Sequence, residues 1–336
     1  MPSVDNRTPF ASSLIPHVNG QGQHCQLLVA KGVWSLRNQA LADRPGCLGL
    51  YQSPHLRRIG QLQLSTLQRQ VLGSRIDEEI EWFPSDVYPV KPGFDFIVCG
   101  YACSAQPQEQ FHAAIRYRNT AIELQLRAPR FWKPTLVTGA GAIPGPFLEL
   151  VTQVPVHPAF AFGGDLEASP PSDNPQGMGQ PSRRQELASL AMPWVEHPQH
   201  RINSMASTTE PAAFGPWPAS ARLRSRYCGT FDKRWQQERS PLPPSDFDSR
   251  HYNQADPRLQ WAQAPKAAEV IELYNLGIPG AQRIVWPDPP LHVKMAHRPA
   301  IRLRPDTCIV SPQDGLYALL WRCEIEANAS PTLSVF

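Results

Sequence analysis

The sequence predicts a mainly β fold, an antiparallel β-sandwich or barrel built from N- and C-terminal parts, with a long ordered irregular middle segment and few helices. Three observations predict it. The 336 residues include 37 prolines, about double the average share of roughly 5%, and each one removes an amide donor and locks φ, which disfavours long helices. Strand-like apolar runs crowd both ends of the chain, those near the C-terminus at spacings of roughly ten residues. The middle is rich in Pro and Gly yet keeps Phe147, Phe160, Phe162, Trp194, Phe214 and Trp217. A disordered linker is poor in such residues because it cannot recover the entropy of ordering, so the middle is expected to wrap on a core.

Residues 1–22 are polar and Gly-containing and read as a peripheral lead to a single unit, 23–336. Within that unit, 23–130 carries the N-terminal strands, 131–265 the irregular wrap and 266–336 the C-terminal strands. Gln26 to Leu36 is an aliphatic and aromatic strand-like run. Phe94 to Ala102 and Phe111 to Tyr117 follow, separated by SAQPQEQ, whose composition suits a hairpin loop. In Thr120 to Leu126, Ile122, Leu124 and Leu126 share one face and Glu123 and Gln125 the other, the period-2 pattern of a half-buried strand. These runs together read as an antiparallel meander. One short helix is expected at Arg183 to Ala191. Further strands are expected at Val270 to Leu276, Ala281 to Trp286, Leu291 to Met295, Ala300 to Leu303, Thr307 to Ser311 and Leu316 to Ile325.

Charge and composition narrow the function. With 32 basic and 29 acidic side chains, a formal net charge of +3 is too balanced for affinity built on phosphate neutralisation, which argues against nucleic acid as a partner. No run of about 18 apolar residues could span a bilayer and no secretory signal pattern opens the chain, so the expected location is the cytoplasm, without membrane contact. Seven cysteines, an odd number, read as reduced core thiols.

Candidate chemistry is sparse. Asp77, Glu78, Glu79 and Glu81 form an acidic cluster of the type that glycoside hydrolysis or Mg²⁺ binding uses, but four acids in five residues do not fix a carboxylate separation, and a solvated face is the simpler reading. His197 and His200 flank Pro198, which disfavours a helical approach of their rings, and Cys99 and Cys103 have no second pair at zinc-site spacing. The Gly139 to Gly145 run lacks the Gly-Lys-Ser/Thr ending of a phosphate loop and reads as a turn system. Cys228 has cationic neighbours and no catalytic His context. No cofactor is implied.

The most informative segment runs from Phe214 to Gln260, 47 residues dense in Pro, Arg and aromatics. If extended, Arg222, Arg224 and Arg226 leave the same face, where they could hold carboxylates of a partner or of Asp232, Asp246 or Asp248 in this chain. Structural pairing is the favoured reading, because a Pro-rich wrap with little backbone ladder needs side-chain bonds. Trp217 and Trp235 are the candidates for exposed interface anchors, since Trp, Tyr and Arg dominate protein–protein binding energy.

The order of pieces in this region resembles a known bacterial family, the domain of unknown function numbered two-one-six-nine. The matching pieces are HPAFAFGG (157–164), NPQGMG (174–179), MPWVEHP (192–198), AAFGPWPASARLRSRYCGTFDKRW (212–235), LPPSDFDSRHYNQADPRLQ (242–260) and IELYNL (271–276). VAKGVW (29–34), YPVKPGFDFIVCGYA (88–102), RPDTCIVSP (304–312) and LYALLWRCE (316–324) extend the likeness over nearly the whole chain. Two departures stand out: Asp256 and Arg258, where members more often carry two prolines and a Gln-rich continuation, and Ala-Pro-Arg-Phe before Trp132 in place of Gly-Asp-Arg.

Members of the family accompany type VI secretion systems of Gram-negative bacteria. The resemblance therefore implies a non-enzymatic adaptor or chaperone that binds a toxic effector and helps load it onto the secretion spike, contacting a PAAR-type tip protein or the trimeric spike protein. It brings no catalytic residues. The motif positions Asn174, Gly177, Phe214, Gly215, Trp217, Arg222, Arg224, Arg226, Trp235, Tyr252 and Gln254 carry over as architecture or interaction residues. The competing class is a carbohydrate-active hydrolase using the Asp77–Glu81 acids or Asp246 and Asp248, or a carbohydrate-binding β module.

Overall fold

The structure, a computed structural model, describes residues 3–136, 141–164, 172–180, 187–205, 207, 209–296 and 298–335. Two large open sheets organise it. The first has six strands in the order Gln260–Trp261, Phe94–Val98, Thr307–Ser311, Leu316–Glu326, His24–Ser35 and Ala11–Val18. Its neighbours are antiparallel except Phe94–Val98 beside Thr307–Ser311, which run parallel. The second is antiparallel throughout, in the order Val195–Glu196, Thr120–Arg127, Gln110–Tyr117, Val270–Tyr274 and Ala281–Val285. The β-rich architecture built from both ends of the chain is therefore present. Neither large sheet closes into a barrel.

Burial explains the strand patterns. His24–Ser35 and Leu316–Glu326 lie side by side in the interior of the first sheet and read as near-continuous apolar runs because both their faces are covered. The second sheet alternates instead, with Ile115, Ile122 and Leu124 in the core and Arg116 and Glu123 outside. An aromatic cluster joins the two sheets. Trp261 stacks on Phe94 and Phe96 and comes within 4.4 Å of Tyr117, while Trp286 meets Phe94 edge-on. One hydrophobic core draws residues from Phe10 to Leu333.

Several elements differ from the expected ones. The run Phe94 to Ala102 is two strands, since the chain turns out of the first sheet at Cys99–Gly100. A Cβ on Gly100 would lie 2.2 Å from the Gln313 side-chain oxygen, so a larger residue at this turn would have to displace the Gln313 side chain. Tyr101–Gln108 then pairs with Val151–Pro155, which absorbs most of the expected SAQPQEQ loop into a strand. Residues 11–18, read as part of a peripheral lead, form the edge strand of the first sheet, and Phe10 stacks on Trp321 at 5.3 Å. The helix Thr66–Leu72, capped by Ser65 and Gln68, was not expected. Of the helix expected at Arg183 to Ala191, residues 183–186 lie outside the described residues, and Leu187–Ser189 is a single 3-10 turn. Residues 139 and 140 of the Gly-rich run likewise lie outside them.

The middle segment is ordered where it is described. Phe160 stacks on Trp194 at 5.2 Å, and Trp132 donates its indole N–H to the Gly179 carbonyl. Here the family glycines are packing requirements: a Cβ on Gly163 would stand 2.1 Å from the Asn174 carbonyl oxygen, and one on Gly177 would stand 2.5 Å from the Asn174 amide. The cysteines are free thiols, with Cys99 and Cys308 buried and the other five half-buried rather than in the core.

Candidate interaction surface

The Phe214–Gln260 segment divides into a buried root and an exposed lobe. In the root, Phe214 and Gly215 both donate backbone N–H groups to the Val156 carbonyl, and Val98 donates to Phe214, so the segment is hydrogen-bonded to the strand it crosses. Trp217 is fully buried and donates its backbone N–H to Gln254, whose own N–H donates to the Asp95 carboxylate at 2.7 Å. Asp95 in turn pairs with buried Lys91. Asn174 spans the same region, its side-chain amide donating to the carbonyls of Pro158 and Phe162.

The arginine row is not extended. Residues Arg222–Ser225 form a helical turn, so Arg224 points inward, away from the side that Arg222 and Arg226 share. Arg222 is exposed and pairs with Asp173 at 3.1 Å. Arg224 is buried and donates to the carbonyls of Trp217 at 2.7 Å and His251 at 2.9 Å, with the Tyr88 ring 5.9 Å away. Arg226 is exposed and lies over the Tyr227 ring. The acids expected to pair with the row serve elsewhere: Asp232 caps the next helix, Asp246 accepts from Thr230, and Asp248 holds Arg250. Of the three, Arg224 fastens the wrap from inside, through carbonyls, which no charge pattern reveals.

The exposed lobe spans roughly residues 226–252. Asp232 accepts the Trp235 N–H and starts the helix Lys233–Glu238. The Trp235 indole N–H donates to the Leu242 carbonyl, and Arg239 reaches the carbonyls of Pro243 and Gly20, tying the lobe to the turn that follows the edge strand. Phe231 is 58% exposed and meets Trp235 edge-on at 4.7 Å. Beside them a groove of about 460 Å³ is lined by Trp235 with Asp232, Arg234, Glu238 and Asp246. Arg226 and Arg250 both sit over Tyr227, and Tyr252 packs against Tyr88 and Phe247.

Of the two tryptophans expected to be exposed, Trp217 is core and Trp235 is half-buried. Phe231 takes the exposed place. Its only sequence signal is a lone aromatic four positions before Trp235 in a polar stretch. The departures at Asp256 and Arg258 pair with each other and cap the turn Pro257–Leu259.

The acidic cluster separates. Asp77, Glu78 and Glu79 are exposed, with Glu78 on Arg75, while Glu81 turns inward. Burial raises the Glu81 carboxyl to about 7, against the opposing pull of Arg224. Next to it, His157 is buried and stacks on Trp82. Its Nδ1 accepts the Ala159 N–H, so Nε2 carries the proton and donates to the Glu81 carbonyl at 3.1 Å. Burial lowers this imidazole to about 4.

These two groups act on stability with opposite sign. Glu81 holds its proton more tightly folded than unfolded, so its contribution falls as pH rises from 4.5 to about 7. His157 resists its proton when folded, so its contribution rises with pH from about 4 to 6.5. In the native chain the two slopes oppose each other. Denaturant midpoints measured from pH 4 to 8 should rise more steeply with pH in Glu81→Gln than in the parent, and should fall with pH in His157→Gln. Parallel profiles in all three proteins would refute the assignment.

His197 and His200 are brought together after all, their rings 4.7 Å apart, because a turn closed by the His200 N–H on the His197 carbonyl replaces the excluded helix. Among the described residues no group of three or more His, Cys, Asp or Glu is placed to hold a metal ion, and no helix is long and apolar enough to cross a membrane.

No curated protein and no solved structure matches this chain. Residues 24–322, which include the whole buried root, the exposed lobe and the inner strands of both sheets, match the bacterial family described as "Uncharacterized protein conserved in bacteria (DUF2169)", and the chain belongs to that family.

Proposed function

We propose that this protein is a non-enzymatic adaptor that binds a toxic effector in the cytoplasm and helps load it onto a type VI secretion spike, through a PAAR-type tip or the trimeric spike protein. The observation that carries the reading is the exposed lobe, where Phe231 and Trp235 form an aromatic pair beside a groove and Tyr227 lies under two arginines. Trp, Tyr and Arg are the residues that dominate binding energy at protein interfaces. A rigid β scaffold presenting such a loop is suited to recognition. The buried root holds the lobe in place, and the family motif runs through both.

Co-expression with a candidate toxin drawn from the genes flanking this one tests the proposal. A stable complex is expected, and deleting this gene should abolish secretion of that toxin. Phe231→Ser should weaken the complex by about 2 kcal/mol or more while changing folding stability by no more than about 0.5 kcal/mol, read by calorimetry and urea denaturation. No complex, or secretion unimpaired by the deletion, would defeat the adaptor reading.

A further inference from the structure

The two large sheets have four edges, and three are closed. The edge Gln260–Trp261 is only two residues long, which leaves little backbone for a further strand to pair with. At Val195–Glu196, Ala161 bridges to Val195, and Arg127 and Arg130 clamp Glu196. Along Ala281–Val285 a single side chain stands in for a strand: the Gln39 amide donates to the Arg283 carbonyl and accepts the Val285 N–H, each at 3.0 Å. Among the described residues the fourth edge, Ala11–Val18, has no such cover, and it carries no Asp, Glu, Lys or Arg. Open uncharged edges invite pairing, and proteins normally blunt them.

The register identifies the open groups. Leu36 donates to Gly315 and Asn19 to Gln23, so the odd-numbered residues of Ala11–Val18 bond inward to His24–Ser35. The outward groups belong to Ser12, Leu14, Pro16 and Val18. Among the described residues nothing is hydrogen-bonded to the outward N–H groups of Ser12, Leu14 and Val18. Beside them lies a groove of about 530 Å³ lined by Leu14, Pro16, Val18, Gln26 and Ala327 among others, with no Asp, Glu, Lys or Arg in its wall.

We propose that this edge is the docking line for an extended, uncharged segment of the partner protein, added as a seventh strand with one apolar side chain seated in the groove. Backbone bonds supply the affinity and the groove the selectivity. Edge and groove offer no Asp, Glu, Lys or Arg to pair with, and of the two histidines lining the groove His17 already faces Glu324 at 3.7 Å, which selects an uncharged occupant, because a buried unpaired charge there would be costly. A second copy fits less well: self-pairing about a two-fold axis through Leu14 sets Pro16 opposite Ser12 and loses an N–H on both sides. The inference rests on the adaptor reading and names where that partner's backbone lies.

Residue-resolved hydrogen exchange on the complex with that co-expressed candidate toxin tests it. The amides of Ser12, Leu14 and Val18 should exchange at least about tenfold more slowly with toxin bound. Ser12→Pro should weaken toxin binding about tenfold and leave the denaturation midpoint unchanged, because the lost N–H points away from the ladder. Toxin bound with no slowing at these amides overturns the edge assignment and leaves the adaptor reading standing. No toxin binding removes both. Slow exchange without toxin, together with a concentration-dependent dimer in sedimentation, makes a second copy the occupant and overturns the proposal.

Discussion

Asp86→Ala should lower the unfolding free energy by about 3–5 kcal/mol, the cost of breaking a buried ion pair from one side. Lys31 and Asp86 are both almost wholly buried, with the ammonium 2.8 Å and 3.0 Å from the two carboxylate oxygens. The Lys31 ammonium also donates to the Gly49 carbonyl, and Asp86 accepts the Tyr51 N–H at 2.7 Å. Burial already lowers the Lys31 pKa, with Asp86 opposing that fall and Arg322 adding to it. Removing the carboxylate therefore leaves an ammonium facing a second cation in the core, and an orphaned amide at Tyr51. Urea denaturation at neutral pH measures the effect. Lys31→Met/Asp86→Asn should cost less than the sum of its single changes, because Asn keeps an acceptor for Tyr51 and no charge is stranded. A loss below about 1 kcal/mol for Asp86→Ala would show that the pair contributes little.

Arg224→Met should cost about 3 kcal/mol, from two buried carbonyls left without donors at roughly 1–3 kcal/mol each. One of those carbonyls, on Trp217, belongs to the buried root and the other, on His251, to the end of the exposed lobe, so the guanidinium ties the base of the lobe to the root. Limited proteolysis between residues 226 and 252 should accordingly speed up. Arg224→Lys should not rescue, since one ammonium cannot reproduce the planar fork that reaches both acceptors. Wild-type proteolysis rates in Arg224→Met would mean that the lobe is held by other contacts, of which Trp235 on Leu242 and Arg239 on Gly20 are the strongest candidates.

Much of the scaffold was legible. The apolar run at Gln26 to Leu36, the alternation at Thr120 to Leu126 and the closely spaced C-terminal runs all mark strands, because burial of one face or both imposes a period that survives in sequence. The aromatics of the middle segment likewise indicate order, as Phe160, Trp194 and Trp217 bear out. The break at Gly100 was hidden, since a glycine between two apolar runs does not say which sheet the chain enters next. The arginine alternation misled for a related reason. A period of two marks one face only if the backbone is extended, and Ala221 onward turns helical against Asp173 and His251.

The sequence by itself determined the β-rich class, the assembly of one core from both ends of the chain and, through the order of its motifs, the family. Each of these follows from patterns local in the chain: the spacing of apolar residues, the density of proline and the order of short motifs. Tertiary structure alone decided which motif residues are buried and which are exposed, because exposure depends on what packs above a residue and not on its type. Trp217 and Phe231, both aromatic and only fourteen positions apart, end in the core and on the surface respectively. The same holds for the strand edges. Whether Gln39 reaches Arg283 while, among the described residues, nothing is hydrogen-bonded to the outward N–H groups of Ser12 and Leu14 is settled by contacts across more than two hundred residues of chain, which leave no period in the sequence.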